Sequence, residues 1–153
     1  MLNVVLFQPE IPHNTGAIGR LCLATGARLH LIKPLGFSLE DRHLKRAGLD
    51  YWPKVDVRVW NTWDDLNTTM EAGDSVFFVE CQGNQTYWSA DLTSPNVYLV
   101  FGPETRGIPP SVIEQEKCLC IPMQETRSLN LATAAGIVMY EALRQRTQAG
   151  ITP

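Results

Sequence analysis

The chain has 153 residues, 44% hydrophobic and 19% charged, which fits a single domain over 1–153 and excludes a disordered chain, a collagen and a coiled coil. Thirteen Lys+Arg against sixteen Asp+Glu leave a net charge of −3, yet residues 1–58 hold eight basic and five acidic side chains, and the remainder five and eleven. Net acidity does not exclude nucleic acid, because phosphates are neutralised by local clusters of cations.

Leu2–Phe7 reads as a strand, ended by Pro9 and Pro12, which cannot donate to a ladder. The apolar run is too short for a signal peptide and has no basic flank. Asn14 is a candidate cap for a helix to about Ala24, with Gly26 at a fitting C′ position. Leu29–Ile32 is a second strand, stopped by Pro34. Ser38-x-x-Asp41 resembles a capping arrangement before a helix to about Ala47. Val55–Trp60 is a third strand, and Thr62 caps a helix to about Ala72. Val76–Val79 and Val97–Phe101 are apolar runs of the kind found in strands buried on both faces. Pro110–Gln115 is a short helix and Cys118–Ile121 the last strand. Asn130 to about Arg146 is the longest helix, with Leu131, Ala135, Val138 and Ala142 on one stripe. Alternating strands and helices predict an α/β fold with a mainly parallel sheet and helices on both faces. In such a sheet a ligand sits outside the carboxyl ends of the strands. The loops after Phe7, Val79, Phe101 and Ile121 are therefore the candidates.

The cysteines, Cys22, Cys81, Cys118 and Cys120, follow no disulfide or zinc spacing and read as structural thiols. No run of about 18 apolar residues is present, so no membrane span is expected. The expected compartment is the cytoplasm. No metal site is expected either. His30 alternates within a strand and reads as packed or hydrogen-bonded; His13, in the first loop, is the histidine to test. The tryptophans have no regular spacing and read as core or interface, although Trp52, following the basic patch, could stack on a base.

The first loop carries Gly16 and Gly19 near a helix start, where free N–H groups attract anions. Its dinucleotide fingerprint is incomplete, since Asn14 holds the first glycine position. Arg20 reads as a surface cation or a partner of Glu10. Phe101–Pro110 holds two glycines and three prolines, a stiff loop that presents backbone groups in set directions, suited to the edge of an adenine. Ser128 and Asn130 both read as caps for the final helix. Arg42-His43-Leu44-Lys45-Arg46 is the densest cationic patch, which on charge alone reads as a solvated helix face.

Three segments together carry a pattern: Asn14-Thr15-Gly16 with Arg20; Phe101-Gly102-Pro103-Glu104-x-x-Gly107; and Ile121-Pro122-Met123 with Ser128-Leu129-Asn130-Leu131. In this order they resemble the SPOUT superfamily of S-adenosylmethionine-dependent RNA 2′-O-methyltransferases. Glu10-Ile11-Pro12, Arg46-Ala47-Gly48-Leu49-Asp50-Tyr51 and Tyr140-Glu141-Ala142 narrow the likeness to small single-domain enzymes that modify the wobble ribose of tRNA, on a cytidine or uridine. The resemblance implies a C-terminal trefoil knot, a homodimer, tRNA as partner and S-adenosyl-L-methionine as cofactor. It implies that Val79, Gly102, Ile121 and Ser128 contact the cofactor, that Gly107 keeps its loop tight, and that Arg20, Ser128 and Asn130 lie near the methyl-transfer centre. On this reading Arg42, Lys45 and Arg46, with Arg20, bind RNA. Among the departures, Glu80-Cys81-Gln82-Gly83 stands in place of a Thr-Thr-Lys-Gly type of turn. The competing readings are a dinucleotide-binding enzyme and a knotted RNA-binding protein without catalysis.

Overall fold

The structure is a computed structural model that describes residues 1–40 and 51–151. Seven strands form one sheet in the order β3-β2-β1-β6-β4-β7-β5. They are β1 (Leu2–Phe7), β2 (Arg28–Ile32), β3 (Val57–Trp60), β4 (Ser75–Val79), β5 (Gln85–Thr86), β6 (Val97–Phe101) and β7 (Cys118–Cys120). Every pairing among them is parallel. Among the described residues the α-helices are α1 (Pro12–Thr25), α2 (Trp63–Asn67) and α3 (Leu131–Gln148). β1 and β6 are buried at every position, as their unbroken apolar sequences require when both faces are covered. On one face α1 and α3 bring Ile18, Cys22, Ala135, Val138, Met139 and Ala142 onto Val4, Leu6, Leu29 and Leu99. On the other, Leu66 of α2 and Ile108 pack on Val5, Ile32, Phe78 and Val100.

The sequence order departs from the spatial order in an informative way. β1, β2 and β3 lie side by side, whereas β6 enters between β1 and β4, and β7 between β4 and β5. Loops leaving β1, β6, β4 and β7 are consequently neighbours at one end of the sheet. A change in the direction of winding at β1 and β6 leaves the crevice there.

Several local expectations need correction. Asn14 does not cap α1: the cap position is Ile11, Pro12 opens the helix, and the Asn14 side chain is used elsewhere. Proline suits that position because its missing N–H has no intrahelical partner anyway. Gly26 ends α1 in the left-handed region at φ 69°, as expected. The third strand starts at Val57, because Trp52–Lys54 forms a 3-10 turn first. Thr62 does cap α2, in a reciprocal pair with Asp65, but the helix ends at Asn67. The hydroxyls of Thr68 and Thr69 bond back to the carbonyls of Asp65 and Leu66, competing with continued helix. Residues 110–115 form turns rather than a helix. The Pro109 carbonyl takes both Val112 N–H and Ile113 N–H, and a 3-10 turn follows at Gln115–Lys117. The helix expected from Asp41 to about Ala47 lies outside the described residues.

His30 is satisfied within the core, as its alternation predicts. Its Nδ1 accepts from the Trp60 indole at 3.0 Å, and its Nε2 faces the Asn3 amide oxygen at 3.1 Å. Burial, with the charges of Arg28 and Arg58 adding to it, lowers its pKa to about 4. The ring is therefore neutral, with its proton on Nε2. Burial likewise pushes the Cys22 thiol up to about 12 and raises that of Cys118, where the Glu80 and Glu116 carboxylates act in the same direction. Both stay protonated, which agrees with structural thiols.

Candidate active site

A cleft of about 360 Å³ opens at the carboxyl ends of β6, β4 and β7. Three of its walls begin at the end of a strand. β6 ends at Phe101, and the loop from Gly102 to Gly107 turns back so tightly that a Cβ on Gly102 would sit 3.0 Å from Ile108 Cγ1 and 3.1 Å from Ile108 N. β4 ends at Val79, and Glu80 and Cys81 continue along the rim. β7 ends at Cys120, and Ile121, Met123, Ser128 and Leu129 close the third side before Asn130 starts α3. Ile11 and Asn14, from the first loop and the start of α1, complete the lining. The walls mix apolar side chains with converging polar groups, as small-molecule sites do.

One hydrogen-bonded chain holds these loops together. The Glu104 carboxylate accepts from Glu10 N–H at 2.8 Å, Ile11 N–H at 3.1 Å and the Asn14 amide at 3.3 Å. The Asn14 amide oxygen in turn accepts from the Asn130 amide at 3.0 Å. Asn130 divides its side chain between two tasks. Its oxygen caps α3, accepting from Ala132 N–H at 3.0 Å and Thr133 N–H at 3.2 Å, while its nitrogen reaches Asn14. Donors at the start of two helices are thus satisfied, and three sequence-distant loops are tied in register. A reciprocal tie runs from Glu10, whose carboxylate accepts from Thr105 Oγ1 at 2.8 and 2.9 Å and meets Arg106 Nε at 3.4 Å. Arg20 is thus not the partner of Glu10.

Val79, Gly102, Gly107, Ile121, Ser128 and Asn130 all line the cleft. Arg20 does not: it is exposed on α1, with its guanidinium carbon 4.7 Å from the centre of the Tyr51 ring. His13 is exposed and also outside the lining. Trp52 lies against the bare backbone of Gly19, where a Cβ would meet its ring at 2.7 Å, so packing rather than open stacking describes it. Arg42, Lys45 and Arg46 lie outside the described residues. Of the residues the sequence reading left without a role, Glu104 and Glu80 matter most. Glu104 stood inside the second motif, but its partners are 90 to 94 residues away in sequence. No cluster of metal-ligating side chains occurs among the described residues, and none of their helices is long and apolar enough to cross a membrane.

The model of the SpoU rRNA Methylase family matches residues 1–140. A tRNA (cytidine(34)-2′-O)-methyltransferase of Methylovorus glucosotrophus is 46% identical, covering 98% of this chain and 99% of its own. The enzyme of that name from Yersinia pestis is 46% identical over 95% of this chain and 94% of its own. Among solved structures, one described as giving structural insights into the 2-OH methylation of C/U34 on tRNA superposes with a TM-score of 0.92 at 46% identity, covering 97% of each chain. An AdoMet-bound rRNA methyltransferase from Sinorhizobium meliloti superposes with a TM-score of 0.84 at 29% identity, over 94% of this chain and 56% of that one.

Proposed function

This chain belongs to the SpoU rRNA Methylase family, and on that premise we propose that it transfers a methyl group from S-adenosyl-L-methionine to the ribose 2′-hydroxyl of the wobble nucleotide, a cytidine or modified uridine, of tRNA. Full-length relatives bearing that activity in their names support the substrate. The observation that carries the reading is the cleft at the β6, β4 and β7 tips, with the Glu104–Asn14–Asn130 chain holding its walls. Membership of this family sets aside the dinucleotide-binding alternative.

The residues present fit the cofactor. The volume suits a nucleoside-sized ligand. Gly102 and Gly107 line the cleft without side chains, which suits a flat base, and Ile121 and Leu129 supply apolar contact. Val79, Gly102, Ile121 and Ser128 would hold the cofactor; the close approach in this loop is at Gly102 and not at Gly107, where a Cβ would meet nothing nearer than 3.8 Å. When bound, it supplies an activated methyl on a sulfonium, so the protein's task is to orient the acceptor and exclude water. Ser128 or Asn130 holds the ribose hydroxyl. The Arg20 guanidinium is a hydrogen-bond donor only. From outside the cleft lining it clamps a flanking phosphate of the tRNA. Arg42, Lys45 and Arg46 track the anticodon-stem backbone.

The same reading includes a trefoil knot, a homodimer and a cytoplasmic location. Insertion of the late strands β6 and β7 between earlier ones supports the knot. Exposed Leu23 on α1 and Tyr140 on α3 support an interface on these packed helices. Transfer of labelled methyl to unmodified tRNA, with the labelled nucleotide mapped, tests the whole. Label on the wobble ribose is expected. Bound tRNA without transfer would favour the non-catalytic alternative. Arg20→Lys should lower turnover at least about tenfold, because lysine lacks the bidentate fork; full turnover in that variant would remove the clamp.

A further inference from the structure

Glu80 is the first residue beyond β4, the middle strand of the three whose tips form the cleft. Its N–H still bonds the Leu119 carbonyl at 3.0 Å, so its backbone is held to β7. Its side chain is held to the loop beyond β6. Oε1 accepts from Ile108 N–H at 2.9 Å, and a Cβ on Gly107 would lie 3.8 Å from both oxygens. The carboxylate therefore rests beside bare backbone, half-buried and aimed by two neighbouring walls. Among the described residues Oε2 has no hydrogen-bond partner. Glu104, the other carboxylate of the lining, differs in that three donors already occupy it.

We propose that Glu80 accepts hydrogen bonds from the ribose hydroxyls of the cofactor and makes the cleft selective for a ribo- over a deoxyribonucleoside. This rests on the cofactor reading above. A carboxylate is an acceptor only, and a vicinal diol offers two donors; bonds between them are charge-assisted. The central strand tip also matches the place of the sugar, which lies between the base and the sulfonium arm. Dinucleotide-binding folds use a strand-end acid on a ribose hydroxyl for the same chemical reason.

Calorimetry on the full chain tests this, with S-adenosylhomocysteine and its 2′-deoxy and 3′-deoxy analogues as probes. Glu80→Gln keeps an oxygen for Ile108 N–H, and an unchanged melting temperature would show the fold intact. Glu80→Gln should bind S-adenosylhomocysteine about 10–100-fold more weakly than the wild type. The wild type should lose a similar factor on at least one deoxy analogue, and Glu80→Gln should lose little more. Equal losses for ribo and deoxy probes would reduce Glu80 to an anchor for Ile108 and overturn the proposal. So would a loss seen with S-adenosylmethionine but not with S-adenosylhomocysteine, which would mean pairing with the sulfonium charge. Wild-type protein that takes up neither parent compound would refute the cofactor reading itself, a separate result.

Discussion

Replacing Glu104 by glutamine tests the hydrogen-bonded chain at its centre. The carboxylate offers only acceptors to three donors: Glu10 N–H on Oε2, and Ile11 N–H with the Asn14 amide on Oε1. Glutamine has the same shape but one of its two positions becomes an NH₂ group. The less costly orientation keeps the oxygen toward Ile11 and Asn14 and turns the NH₂ toward Glu10 N–H, donor against donor. The shortest of the three bonds, at 2.8 Å, is then lost. A hydrogen bond to a charged group contributes about 1.5–3 kcal/mol. At this chain length each kcal/mol moves the melting temperature by about 2–4 °C, so a fall of about 3–12 °C is expected in a thermal scan. Because Asn14 bonds this carboxylate and Asn130 bonds Asn14, S-adenosylhomocysteine affinity measured by calorimetry should fall as well. A variant that melts within a degree of the wild type and binds with unchanged affinity would show that Glu104 does not hold the loops, and the account of the cleft would fail with it.

Asn130 bears on stability and on transfer: Asn130→Asp retains an oxygen to cap α3 but loses the donor to Asn14 and sets acceptor against acceptor, so about 0.5–1.5 kcal/mol of stability should go while methyl transfer falls about tenfold or more. Asn130→Ala should in addition lose about 1 kcal/mol in urea unfolding; if the aspartate variant turned over normally, the Asn14 bond would be irrelevant to the reaction. Gly83→Ala places a Cβ 2.5–2.8 Å from backbone atoms of Cys118, Leu119 and Cys120, which no rotamer change relieves. Its urea midpoint should drop by an amount worth about 1–3 kcal/mol, and an unchanged midpoint would mean that the turn does not cross β7 so closely. For His30 the folded-state pKa lies below the unfolded value, about 4 against 6.5, so the unfolded chain binds the extra proton between them. Its contribution is whole above about pH 6.5 and fades toward pH 4, amounting to about 3 kcal/mol. Unfolding free energies measured across that window should fall more steeply for the wild type than for His30→Gln; parallel curves would contradict the buried neutral ring.

Much of this architecture was legible before any coordinates. Unbroken apolar runs at Leu2–Phe7 and Val97–Phe101 announced strands covered on both faces, and Gly26 marked the end of α1. These signals are local: burial, period and backbone handedness act on neighbours in the chain. The same locality explains the misreadings. Asn14 has the chemistry of a cap, and only a carboxylate 90 residues away draws its amide into another bond. Thr68 and Thr69 end α2 through competing hydroxyls, and residues 110–115 stop at one turn instead of a helix.

The sequence by itself determined the α/β alternation, the strand-end loops worth inspecting and a family likeness spread across three short motifs. Tertiary structure alone decided which loops meet. Strand order is not a local property: placing β6 beside β1 and β7 beside β4 brought Glu104 to Asn14, Glu80 to Ile108, and Gly83 onto the backbone of β7. Cross-chain hydrogen bonds and close backbone approaches cannot be read from spacing, because they exist only once the sheet has chosen its neighbours.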